Sequence, residues 1–460
     1  MPRGLALTVD ADRIVPIVAE RITPAALVEI VELLAGTSSP AGRERPLAEA
    51  VVSWGRTNFS QLNWQLDVLS ETSASVLSYS VLGADGLPDL AVYSHLDTSL
   101  SGDSDSDERV TGVTAPAPSL QIDLAAGVMR GLGLGVAKGP AASGLLAYVV
   151  TAVTLHELGI AHRLGLLIAA GGTHRAAPPG APTAVDPTLA LGFGTGVGHA
   201  LHGGFRPGGV LVAKSGPPGV IYEEPGALYL RVRIQGPWGS VMEREQLSPP
   251  GGLTLMVGAL VDAVEGWRHT RLAEYAGRAS PGASLAPEVG IGALEAGLPY
   301  KADLLPGAVD AFVYVVTVDD TPSGIVADDL ERWLLRELGP KLSDRCSLSV
   351  RCFAFVPVGR TPKEAPLVTD ALGAWEHQFG SDPAVESWSG STDGVLFRSA
   401  GIDTVRLGPQ PTYDSDHRVD IMSIAQLVDY ASVYADIILR YLSRAAPDRD
   451  GPVRLGRGRP

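Results

Sequence analysis

Between residues 224 and 357 the chain interrupts one rhythm with another. The stretches ALYLRVRIQG, GGLTLMVGALVDAVEGW, PEVGIGALEAG, DAFVYVVTVDD, GIVADDLERWLLRELG and SLSVRCFAFVP read in turn as strand, helix, strand, strand, helix and strand. Six elements in that order predict a compact ferredoxin-like α+β sandwich. On either side, single strands and helices alternate. PAALVEIVELLAG is a helix, WQLDVLSE, ASVLSYSVL, DLAVYSHL and RLGLLIAAGG are strands, and IAQLVDYASVYADIILRYLSR is a long closing helix. That alternation predicts an α/β fold with a mixed, mostly parallel sheet flanked by helices. The expected organisation is a larger domain in two parts, 1–223 and 358–443, a small domain inserted at 224–357, and a flexible tail at 444–460.

Charge and composition exclude several functions. The net charge of −15 gives no basic stripe for nucleic acid and repels anionic lipid. No run of 18 apolar residues is present to span a membrane, and MPRGLALTVDADR lacks the features of a signal peptide, so a cytoplasmic protein is expected. Cys346 and Cys352 lie six apart on a strand-like stretch, roughly 20 Å from each other, too far to bridge.

The stretch LAVYSHLDTS ends an apolar strand with His95 and Asp97, which point to the same side of an extended chain. The run 99–118 is rich in serine and acids and reads as a solvated loop; it lacks the glycine and glutamate spacing of a calcium loop. GLGLG matches neither the dinucleotide fingerprint nor a phosphate loop. His156 and His162 flank a helix end and are expected at the surface. His199 and His202, in GHALHGG, have zinc-like spacing only if helical, which the glycines oppose.

Four motifs occur in order: SHLDT, RGLGLGVAKG, SGSTDGVLFRSAGIDTVRLGP and SDHRVD. With the inserted sandwich between them, residues 24 to 443 resemble the di-zinc peptidase and amidohydrolase family of acetylornithine deacetylase, succinyl-diaminopimelate desuccinylase, aminoacylase and the glutamate carboxypeptidases. The resemblance implies two zinc ions sharing an aspartate, each with one histidine and one further carboxylate, and a glutamate that activates the bridging water. It places His95 on one ion, His417 on the other, and Asp97 behind His95 as its orienting carboxylate. The bridging aspartate is replaced by Val136. Gly171, Gly172, Thr173 and His174 stand where the paired glutamates belong, and Lys214 stands on the remaining carboxylate. Ser240 replaces the family's histidine that reaches across a dimer to the substrate carbonyl.

The resemblance makes 1–223 and 358–443 the catalytic-type domain and 224–357 a lid or dimerisation domain, whose apolar strands and sheet edge need cover and predict a homodimer. The departures predict a protein with no zinc cofactor, repurposed for metal-independent chemistry on an amino-acid-like or amide-containing small molecule. His95, Asp97, Lys214 and His417 are its catalytic candidates; His174, Ser240, Thr392 and Asp393 are its substrate-binding candidates. Whether Glu223 or Glu224 also enters the cleft stays open. A residual amide hydrolase with one metal held by His95, His417, His174 and Asp97 in some combination is a second reading, and a non-catalytic binding relic a third.

Overall fold

The computed structural model describes residues 9–444 except 84, 113, 115–116, 182, 184–185, 277–279, 281, 283, 386 and 415–418. His417 and, apart from Arg444, the expected tail lie outside the described residues.

The central sheet runs in the order Asn63–Val68, Ala74–Leu82, His162–Ala169, Leu90–His95, Gly209–Ala213 and Asp403–Leu407. The first two junctions are antiparallel and the last three parallel. Both faces are covered, as near-continuous apolar strands require. Leu90 and Val92 pack with helices Pro24–Ala35, Gly139–Glu157 and Ile424–Arg444. Ala91 and Tyr93, on alternate positions, pack on the opposite face with Val197 and Ala200 of helix Thr195–His202 and with Phe397. Helix Gly139–Glu157, with the turn before it, is apolar and long enough to cross a membrane by composition, yet it is largely buried here as the core helix. Gly144 explains how it sits so close: a Cβ there would come 2.8 Å from Ala213 and 3.2 Å from Val92.

The second sheet is antiparallel throughout, in the order Glu288–Ala296, Ala308–Thr317, Gly226–Gln235 and Ser347–Val356. Helices Met256–Tyr275 and Ser323–Leu338 cover it around a core of its own, which includes Leu230, Val264, Trp267, Val313 and Leu330. At its base Glu223–Glu224 pairs with Gly359–Arg360, so the chain leaves and re-enters the larger unit through one short antiparallel clasp.

Three local expectations are corrected. Residues Ser104–Thr111 form a helix inside the polar run, its N-terminal side held by Asp107, whose carboxylate accepts from the backbone of Ser101 and Gly102 at 3.0 and 2.8 Å. His162 is fully buried rather than superficial. Its Nδ1 donates to the Ile160 carbonyl at 2.7 Å, which leaves Nε2 to accept from Ser80 Oγ at 2.7 Å. His199 and His202 do lie on a helix, but their rings part: His199 pairs with Asp67 at 3.2 Å and His202 with the Gly198 carbonyl at 2.9 Å.

Candidate functional site

The four parallel strands end on the same edge of the sheet, the place where open α/β sheets build their clefts. His95 is the last residue of its strand, Gly171 to His174 follow the neighbouring strand, Lys214 follows Gly209–Ala213, and Arg406 is the penultimate residue of strand Asp403–Leu407.

His95 Nδ1 lies 3.0 Å from Asp97 Oδ1, with both side chains fully buried. Asp97 also accepts from the backbone N–H of Gly172 at 2.7 Å and of Thr173 at 2.8 Å. Burial alone would raise this carboxyl, but His95 and Thr173 outweigh it and hold it well below the usual carboxylate range. Burial, then the charge of Lys214, lowers the His95 pKa against the pull of Asp97. The ring is therefore neutral at neutral pH, donates through Nδ1, and keeps a bare lone pair on Nε2, which is buried without a partner among the described residues.

Next to this pair, lined by Thr173, His174 and Lys214 but by neither His95 nor Asp97, lies a cavity of about 660 Å³. Lys214 is only 7% exposed, and its ammonium makes no hydrogen bond or ion pair among the described residues. Burial and then Arg406 push its pKa down to about 8, offset in part by Asp97 and Glu224. Arg406 lies with its guanidinium 4.6 Å from the Trp388 ring centre, its Nη1 3.3 Å from Glu224, and its Nη2 on the Ser215 carbonyl. The Trp388 backbone bridges to the stretch before strand Glu288–Ala296: its main-chain N–H donates to the Ser284 carbonyl at 2.5 Å and its carbonyl accepts from the Ala286 N–H at 2.9 Å.

The substrate-binding candidates separate. His174 reaches the cavity, stacked on Phe193 at 4.9 Å with Nδ1 3.3 Å from the Tyr314 hydroxyl. Burial and Lys214 push its pKa down to about 3. Thr392 instead donates to Glu224, which Arg398 also neutralises. Asp393 does not line the cavity; it accepts from the Tyr93 hydroxyl, and burial raises it to about 8. Ser240 does not line this cavity; its Oγ caps the turn Val241–Gln246 by accepting from Met242 N at 3.2 Å. Glu223 is spent on Ser280 and Ser284, at 2.8 and 3.1 Å.

Five residues that line the cavity carry a buried polar side-chain atom without a partner among the described residues: Thr173 Oγ1, His174 Nε2, Trp388 Nε1, Ser391 Oγ and Arg406 Nε. Native interiors satisfy such atoms, so their convergence on one space marks a place built for a polar ligand. Sequence reasoning missed Arg406, Trp388 and Ser391. A visible signal existed, since TVRLGP sets one arginine inside an otherwise apolar strand.

The same geometry tests the zinc pair that the fold implies. The described residues hold no group of three or more His, Cys, Asp or Glu able to bind a metal. Lys214 brings positive charge beside His95. At Gly172 a Cβ would come 2.5 Å from His95 Cβ and 2.8 Å from Asp393 Oδ2, so no glutamate fits at that position without movement. Among the described residues, which do not include His417, these donors do not make up the ligand set of two zinc ions.

No protein-family model and no curated protein matches the chain. Solved structures do. The chain is similar to a tripeptidase from Staphylococcus aureus, with 13% identity and a TM-score of 0.61 over 92% of this chain and 100% of that one. It is similar to human carnosine dipeptidase 1, with 12% identity and a TM-score of 0.59 over 94% and 100%. An M20 family metallo-carboxypeptidase from Sulfolobus solfataricus gives 14% identity and a TM-score of 0.60 over 91% and 99%. Identities this low speak for architecture alone: the chain has the fold of the M20 metallopeptidases, mixed sheet and second α+β domain included.

Proposed function

We propose that this protein binds an amino-acid-like organic anion in the cleft and acts on it without a metal, its carboxylate lying between Lys214 and Arg406. The observation that carries this reading is the convergence of two buried cations and the unpartnered polar atoms of Trp388, Ser391, Thr173 and His174 on one cavity. Arg406, its Nη groups held by Glu224 and Ser215, offers a carboxylate its remaining Nε–H, and the Lys214 ammonium adds a point charge. Both gain strength where water is largely excluded. Lys214, which lines the cavity and has its pKa near 8, can exchange a proton with the bound molecule close to neutral pH, and the neutral His95 ring, oriented by Asp97, lies within reach of the Lys214 charge. A homodimer formed through the second sheet belongs to the same reading; its edge strand Glu288–Ala296 is solvent-exposed along its outer half.

The test uses chelator-treated protein with amino acids, N-acyl amino acids and small amides as probes, alongside elemental analysis. Well under one zinc per chain is expected, with turnover or binding that survives the chelator and falls in Lys214→Met. Turnover that appears only on adding zinc, in proportion to metal bound, would overturn the proposal.

A further inference from the structure

A second cavity of about 480 Å³ adjoins the first, and Ser99 and Val136 line both. Its character is opposite. Leu100, Val110, Leu132, Val136 and Tyr413 face it, and three of these are exposed large apolar side chains: Val110 at 79%, Tyr413 at 52% and Val136 at 41%. Exposed apolar residues are ordinary when scattered. Here they ring one concavity, under the helix Ser104–Thr111 that the polar run conceals. Two carboxylates reach its wall, and both are already bonded: Asp97 to His95, Gly172 and Thr173, and Asp420 to the Gly135 N–H at 2.8 Å. This space therefore offers apolar contact next to a space that offers cations.

Taken with the reading of the cleft above, on which it rests, the geometry points to an amphipathic ligand. We infer that the substrate is an organic anion whose charged end lies with Lys214 and Arg406 and whose apolar arm passes Val136 into the second cavity. Val136 is the hinge of the inference. In the position where a carboxylate would serve a metal, this chain places an aliphatic side chain shared by both spaces. Specificity would then come from two separable contributions: charge recognition at one end, and removal of apolar area from water at the other.

Titration calorimetry with butanoate, hexanoate and octanoate, and with octanamide as the uncharged control, tests this on the full chain. Affinity is expected to rise about fourfold for each methylene that becomes buried, and octanamide to bind far more weakly than octanoate. Val136→Asn and the surface variant Val110→Asn should flatten the chain-length series, whereas Lys214→Met should weaken all three carboxylates by a common factor. Equal affinity for all three acids in the wild type overturns the apolar arm and leaves the anion site standing. If none of the acids binds, or octanamide binds as well as octanoate, the anion site itself is wrong and the inference falls with it.

Discussion

The His95 ring and the Asp97 carboxylate meet at 3.0 Å with neither side chain exposed, and the loop after the adjacent strand closes the same carboxylate with two backbone N–H groups. One side chain thus ties the histidine to residues 172 and 173. Asp97→Ala should leave three buried donors unpaired. At about 1–3 kcal/mol for a buried group left unsatisfied, a loss of roughly 3 kcal/mol or more is expected in urea unfolding. Asp97→Asn keeps an acceptor and should cost less, while nitrogen NMR should show the His95 ring no longer held in one tautomer. A variant as stable as wild type would mean the loop does not depend on this contact.

Lys214→Met should separate stability from binding. The buried ammonium has its pKa lowered to about 8, against about 10.4 in an unfolded chain. The folded state therefore resists protonation, and the full cost is present below pH 8 and relieved as pH rises toward 10. The variant should be more stable than wild type at pH 7, by up to about 3 kcal/mol, with the gap closing in alkali. Carboxylate binding should fall about tenfold or more, roughly 1.4 kcal/mol. In the wild type that binding should fade above pH 8. Unchanged binding in the variant would reduce Lys214 to a space-filler.

Asp393 titrates in the opposite sense. Burial raises its carboxyl to about 8, from about 3.9 when unfolded. Its contribution is fully present below pH 4 and is lost as pH rises toward 8. Asp393→Asn keeps an acceptor for the Tyr93 hydroxyl and removes the titration. The variant should gain on wild type by about 1.4 kcal/mol per pH unit across that window. Urea midpoints at pH 5 and pH 7 measure it, and parallel slopes would show that Asp393 is ionised in the folded protein.

Leu294 lies on the exposed part of the edge strand Glu288–Ala296 and is 44% exposed. If two copies join along this edge, sedimentation at micromolar concentration should give twice the chain mass, and Leu294→Lys should give one. A wild-type protein that sediments as a single chain removes the dimer from the proposal.

Periodicity made the architecture legible. The β-α-β-β-α-β order and the His95–Asp97 pairing follow from side-chain alternation, which is local information. Arg406 was not legible in the same way, because its meaning comes from Glu224, Trp388 and Ser215, all far off in sequence. Thr392 was read as facing substrate because a motif placed it there, whereas its hydroxyl is taken by Glu224. The helix Ser104–Thr111 escaped notice because its serines and acids give no apolar stripe. His162 looked superficial beside a helix end, whereas its ring is buried against Ser80 on the neighbouring strand, 82 residues away in sequence.

The turn Leu134–Lys138 is wound as a π-helix: Lys138 N–H reaches back to the Gly133 carbonyl at 3.0 Å before the chain settles into the core helix. Such a turn holds one residue more than α-helical winding needs. Removing a single residue there could restore ordinary winding, and each residue turns a helix by about 100°, enough to swing position 136 away from the boundary between the two cavities. The buried helix behind it would keep its own contacts. In a lineage carrying this fold, the shape of the cleft is thus open to change through one-residue insertions and deletions at this turn, a route to altered specificity that a survey of point substitutions alone would overlook.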